Sequence, residues 1–145
     1  MCATMADPRP GQILTRGLLR ALHQQGWAAI SEVTLATGRR VDAMAIDGKG
    51  EITVVEVKSS VADFQSDGKW HEYRDFCDRF FFAVPTDFPQ DLLPADSGLF
   101  VVDPYGGALI RPAPVHKLSA ARRKALLITF AALASRRLHA LESAS

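Results

Sequence analysis

Val41 to Ser60 reads VDAMAIDGKGEITVVEVKSS, and the strand pairing it dictates decides the fold. Two runs rich in Val and Ile flank DGKG at Asp47 to Gly50, a turn signal between two strands. A three-residue hairpin loop, a type I turn followed by a left-handed residue, wants Gly at its third position. The loop is then Gly48–Lys49–Gly50, with Asp47 in the favoured turn-opening place. Asp47 pairs with Glu51, and counting back sets Asp42 opposite Glu56. Alternate residues of a strand share a face, so Lys58 projects on the same side as Glu56.

The same rule applies one hairpin earlier. ATG at Ala36 to Gly38 places Gly38 third in its loop and pairs Leu35 with Arg39. Glu32 then falls opposite Asp42, and three carboxylates stand in a row across three strands. A two-residue loop in either hairpin flips one strand and breaks the row. Such a row is unfavourable alone, because opposed residues have Cβ atoms ~4.5–5.5 Å apart and like charges there destabilise a sheet. Two carboxylates ~5 Å apart repel by roughly 3 kcal/mol at an effective dielectric near 20. A hard divalent cation such as Mg²⁺ removes the repulsion, since oxygen donors and water are what it binds. Lys58 beside it can orient or deprotonate a metal-bound water, or stabilise charge on a reacting phosphate. A surface ion pair between Glu56 and Lys58 is the plainer reading, and the placement of Asp42 weighs against it.

Around this centre the pattern is α/β. Gln12 to Gln25 carries Ile13, Leu14, Leu18, Leu19 and Leu22 at helical spacing and closes at Gly26. Strands follow at Trp27–Leu35, Arg39–Ile46 and Glu51–Lys58, and then a helix over Ser66–Cys77 with Ser66 as cap. FFFAV lies in a buried strand, Arg79–Val84. Gly98–Asp103 and Ala108–Arg111 are short strands about a YGG turn, and Ser119 opens a last helix ending near His139. The order predicts helices on both sides of a mixed central sheet.

The 145 residues suit one domain, expected over 9–141, with 1–8 a flexible leader and 142–145 a tail. No apolar run reaches the ~20 residues of a membrane span, so no membrane partner is expected. The start MCATMADPRPGQ lacks the features of a secretory signal, and a cytoplasmic setting is the expectation. The two cysteines, Cys2 and Cys77, have no metal-ligand spacing. Net charge is +1, yet thirteen of the sixteen acids lie between Asp42 and Asp103, while seven Lys and Arg and no acid occupy 104–140. That basic block is a candidate phosphate-binding surface, with Arg122, Arg123 and Lys124 as nucleic-acid contacts, or else a solvated helix face. No phosphate-cradling glycine loop is present, so ATP use is not indicated.

Asp42 followed by Glu56–Val57–Lys58 on the next strand resembles the core of the PD-(D/E)XK nuclease superfamily. More specifically, GRRVD, VVEVKSSVADF, KWHEYRDFCDRFFFAVP and ARRKAL resemble the MmcB-like DNA-repair proteins over about Arg9 to His139. The resemblance implies a restriction-endonuclease-like three-layer sandwich, an αβββαβ core with two extra short strands and a C-terminal helix. It implies a repair-associated deoxyribonuclease hydrolysing phosphodiesters of DNA with Mg²⁺ or Mn²⁺. Asp42, Glu56 and the Val57 carbonyl would hold the metal and Lys58 would stand beside the attacking water. Some members add an acid from the first helix; Gln12 to Gln25 has none, leaving Glu32 for that role. Lys69 and Tyr73, four apart on the helix after the EVK strand, are candidates to support the site. Cys77 reads as a small buried apolar group.

Two further functional classes stand beside the nuclease: a catalytically silent nucleic-acid-binding module, and an interaction scaffold built on the apolar side of the last helix. The intact Asp, Glu, Lys set favours the nuclease. A homo-oligomer is compatible with the sequence but not indicated by it.

Overall fold

A computed structural model describes residues 9–144. The two hairpins form as the turn chemistry dictates. Gly38 and Gly50 both adopt left-handed backbone, at φ 86° and 80°. Asp47 N–H donates to the Glu51 carbonyl at 3.1 Å and Leu35 N–H to Arg39 at 2.7 Å, closing both loops. The Asp47 carboxylate also accepts from the backbone of Lys49 and Glu51, at 2.8 and 3.0 Å, which fixes the second turn.

Strands β1 (Ala28–Thr34), β2 (Arg40–Ile46) and β3 (Ile52–Val57) pair antiparallel in that order. Strands β4 (Arg79–Val84) and β5 (Gly98–Asp103) continue the sheet in parallel, and β6 (Gly106–Arg111) closes it antiparallel. The result is one mixed six-stranded sheet in sequence order, β1 to β6. Helix α1 (Pro10–Gln24) lies on one face, burying Leu14, Leu18, Ala21 and Leu22 against Ala43, Val55, Phe81 and Phe100. Gly17 is required there, because a Cβ would sit 1.7 Å from the Asp103 carbonyl oxygen. The other face packs Met44, Val54, Phe80 and Phe82 under Trp70, Tyr73 and the last helix, α3 (Ala120–Ser143), through Leu126 and Phe130. The three-layer α/β sandwich is therefore as expected. Among the described residues, no helix is long and apolar enough to cross a membrane. The expected leader, residues 1–8, falls outside the described residues, as does Cys2.

The single helix expected over Ser66–Cys77 is not what forms. Ser60 caps a short α2 (Val61–Ser66), accepting from Asp63 N–H at 3.1 Å. Asp67 is extended, and a separate 3₁₀ turn runs from Trp70 to Phe76. Asp67 breaks the helix because its carboxylate is drawn away: one oxygen accepts from Lys69 N–H at 2.8 Å, the other from the Lys58 ammonium.

A second hub was not read from the sequence at all. Asp78, buried at the start of β4, accepts from Ile52 N–H (2.7 Å), Leu118 N–H (2.9 Å) and both terminal nitrogens of Arg123 (2.6 Å each). Burial works to raise its pKa, but the Arg123 guanidinium and the two amides overcome that and hold it below the ordinary range.

Candidate active site

Beyond Ala43–Val55 the β2–β3 ladder stops. Asp42 and Glu56 are opposed by register, but backbone does not bond backbone there. Instead Asp42 N–H donates to the Glu56 carboxylate at 3.1 Å, and Val57 N–H donates to the Asp42 carboxylate at 2.8 Å. The two side chains cross the gap that splayed strands leave. In extended backbone the N–H and C=O of a residue point the same way, so the Val57 carbonyl faces the gap as its N–H does.

Strand β1 is irregular at the same level. Glu32, which the turn rule sets opposite Asp42, has φ 53° and makes no ladder pair, although Ser31–Ala43 and Val33–Val41 flank it. The alternation slips on both strands at this level: Ile30 and Val33 face one core, as do Met44 and Val41. A left-handed residue other than Gly costs about 1–3 kcal/mol. Arg137 of α3 braces it, donating to the Ser31 and Glu32 carbonyls at 2.6 and 2.8 Å. The row of three carboxylates becomes a pair. Among the described residues no group of three His, Cys, Asp or Glu side chains is placed to hold a metal ion. Glu32 lines the same cleft without joining the pair.

Both acids are short of compensating donors. Burial, then the Asp42 charge, pushes Glu56 up to about 9. Asp42 is also raised, chiefly by burial, against the pull of Val57 N–H and Lys58. A buried and a half-buried carboxylate this close cannot both ionise cheaply without a cation between them. The donor set fits a hard divalent ion: two carboxylates, one carbonyl and room for water in a cleft of about 690 Å³.

Lys58 lines that cleft, only 4% exposed, its N–H fixed to the Ala83 carbonyl of β4 at 2.9 Å. Its ammonium lies 2.5 Å from Asp67, the residue that ends α2. Asp67 is held below its ordinary pKa despite partial burial by Lys58 and Lys69 N–H. Nothing in the sequence marks it, since the helical pattern reads straight through it from Ser66 to Cys77.

The supporting pair separates. In a 3₁₀ turn residues three apart eclipse, so Lys69 and Tyr73, four apart, diverge. Lys69 is exposed, whereas Tyr73 is buried with its pKa pushed to about 12 by burial and the charges of Glu56, Asp67 and Asp42. Tyr73 sits in the core within reach of the charge of both acids; Lys69 serves through its backbone. Cys77 is buried, its thiol pushed up to about 12 by burial, and stays protonated. Of the three basic residues singled out on α3, Arg123 is committed to Asp78. Arg122 donates to the Asp75 carbonyl at 2.9 Å and lies over the Phe76 ring. Lys124 has neither attachment.

The family model for "DNA repair protein MmcB-like" matches residues 5–145. The chain belongs to the MmcB-like DNA repair family. Among solved structures it is similar to a protein of unknown function from Silicibacter pomeroyi, at 50% identity and TM-score 0.90 over 94% of each chain. A repair endonuclease from Pyrococcus abyssi matches at 17% identity and TM-score 0.34, over 48% of this chain and 33% of that one. Among curated proteins no match is found.

Proposed function

We propose that the chain is a divalent-metal-dependent deoxyribonuclease acting in DNA repair. The observation that carries this reading is the crossed pair, Asp42 and Glu56, reaching through splayed strands beside the Val57 carbonyl. Membership in a DNA repair family supports DNA as the substrate. A sheet that needed only stability would place one acid and one base there; two acids with one proton to share suit a cation site.

Asp42, Glu56 and the Val57 carbonyl would hold Mg²⁺ or Mn²⁺, which when bound supplies Lewis-acid polarisation of a phosphoryl oxygen and a more acidic water. The residues of the chain do the rest. Lys58, fixed at both ends, aims a single positive charge at the position where the phosphate gains charge. Asp67 holds that ammonium in one rotamer, so little reorganisation is needed when substrate arrives. The buried floor behind the acids, Tyr73 included, keeps bulk water from screening these charges.

The test is cleavage of labelled linear, nicked and branched DNA with Mg²⁺ or Mn²⁺, against chelator and Glu56→Ala. Metal-dependent cutting that Glu56→Ala abolishes is expected. If no DNA is cut with either metal, the chain is a nucleic-acid-binding module that keeps the fold without the chemistry.

A further inference from the structure

We infer that Arg16 of α1 and Arg40 of β2 are the phosphate grip of the cleft, and that it takes the backbone of duplex DNA. This rests on the nuclease reading for the identity of the polyanion, and it moves the binding surface away from α3.

The argument starts from which arginines are free. Eight of the twelve arginines direct their guanidinium at a carbonyl or carboxylate of the protein itself. The block at 111–137, so basic in sequence, is spent this way at Arg111, Arg122, Arg123 and Arg137. Four arginines show no side-chain hydrogen bond or ion pair among the described residues: Arg9, Arg16, Arg40 and Arg136. Three of these four line the one cleft that holds Asp42 and Glu56. Arg16 and Arg40 are exposed and come from different elements, so the fold rather than one helix face brings them together.

Their freedom is informative because acids are at hand. Glu32, Asp42, Glu56 and Asp63 line the same cleft, yet neither guanidinium lies within ion-pair distance of any of them. An arginine fork that ignores nearby carboxylates remains available to a phosphate, which it meets with two parallel N–H bonds. With a divalent ion on the acids, the cleft turns net positive and attracts a polyanion. Proteins that hold single strands add aromatic platforms for the bases. Among the described residues lining this cleft none is aromatic, so it grips phosphates and leaves bases stacked in a duplex.

The experiment is equilibrium binding of a fluorescent 20-mer duplex in Ca²⁺, at several salt concentrations, where binding is read without cutting. Arg16→Gln/Arg40→Gln is compared with Lys124→Gln/Arg136→Gln, which removes the same charge from α3. The cleft variant is expected to bind at least roughly tenfold more weakly, with the slope of log affinity against log salt reduced by about 2. The α3 variant is expected to bind as wild type, and the duplex to outcompete its single strands. Both variants should keep the melting temperature and its rise with Mn²⁺. The inference is overturned if the cleft variant matches wild type, if the α3 variant loses as much, if single strands bind more tightly, or if wild type binds no duplex. A protein that binds in this pattern but never cuts leaves the grip standing and removes only the nuclease.

Discussion

Strand β3 ends in a buried carboxylate centre at each extremity, and the two are opposites. At its start Asp78 accepts from two amides and a bidentate Arg123, so each oxygen has at least two donors. At its end Asp42 and Glu56 share one amide each and the distant charge of Lys58, whose ammonium already belongs to Asp67. The electrostatic consequences diverge accordingly. Asp78 is held below the ordinary carboxylate range, whereas Glu56 is pushed to about 9. A saturated carboxylate is structural: it ties β3, β4, the segment before α3 and α3 itself. The undersupplied pair is the place that the proposed cation would complete.

Breaking the saturated centre is expected to give the largest effect. Asp78→Ala leaves Arg123 without its partner and two amides unsatisfied, and should lower stability by about 3–5 kcal/mol, measured by urea unfolding. The pH dependence has a defined sign. The folded pKa lies below the ordinary 3.8, so the contribution of Asp78 is present above about 3.8 and is lost as pH falls through the folded value. Asp78→Asn should flatten this acid limb. An Asp78→Ala protein as stable as wild type contradicts a structural role and dissolves the contrast between the two ends.

The contrast also marks what was legible in the sequence. The register was, because Gly38 and Gly50 need left-handed backbone, and that local demand propagates by counting to the Asp42–Glu56 opposition. Glu32 was counted correctly as well, but its φ of 53° depends on bracing by Arg137, 105 residues away. Asp67 and Asp78 were illegible for the same reason. Each looks like a turn acid until Lys58 or Arg123 arrives from elsewhere in the fold, the latter 45 residues along. The basic block shows the limit of counting charge: Arg122 and Arg123 are visible as charges in the sequence, and their engagement with Asp75 and Asp78 is not. Whether an arginine is free is a tertiary fact.

At the undersupplied end, Lys58 is the group expected to affect chemistry while sparing binding. Lys58→Met keeps the length and apolar stem while removing the charge. Binding of DNA and metal should stay near wild type, while cleavage slows at least ~100-fold, about 2.7 kcal/mol in the transition state. Asp67→Asn should follow it partway, since the ammonium keeps its charge and loses its anchor. Equal cutting by wild type and Lys58→Met removes the role assigned to Lys58. Lost binding instead makes it a phosphate anchor.

The smallest effect is on the stability of the acid pair itself, and there the sign matters more than the size. Asp42→Asn keeps an oxygen to accept from Val57 N–H while removing the charge that helps to push Glu56 up. The metal-free variant should therefore be as stable as wild type or more so, by up to ~1 kcal/mol. Mn²⁺ should raise the melting temperature of wild type by binding the folded state only, and should leave Asp42→Asn unmoved. Glu56 supplies a second reading of the same repulsion. Its folded pKa of about 9 lies above the ordinary 4.5, so its contribution is full below about 4.5 and is lost as pH rises through about 9. Metal-free wild type should weaken over that interval, and Glu56→Gln should weaken less. If Asp42→Asn instead costs as much as Asp78→Ala, the pair is a structural element like the centre at the other end of β3, and no cation is needed to explain it.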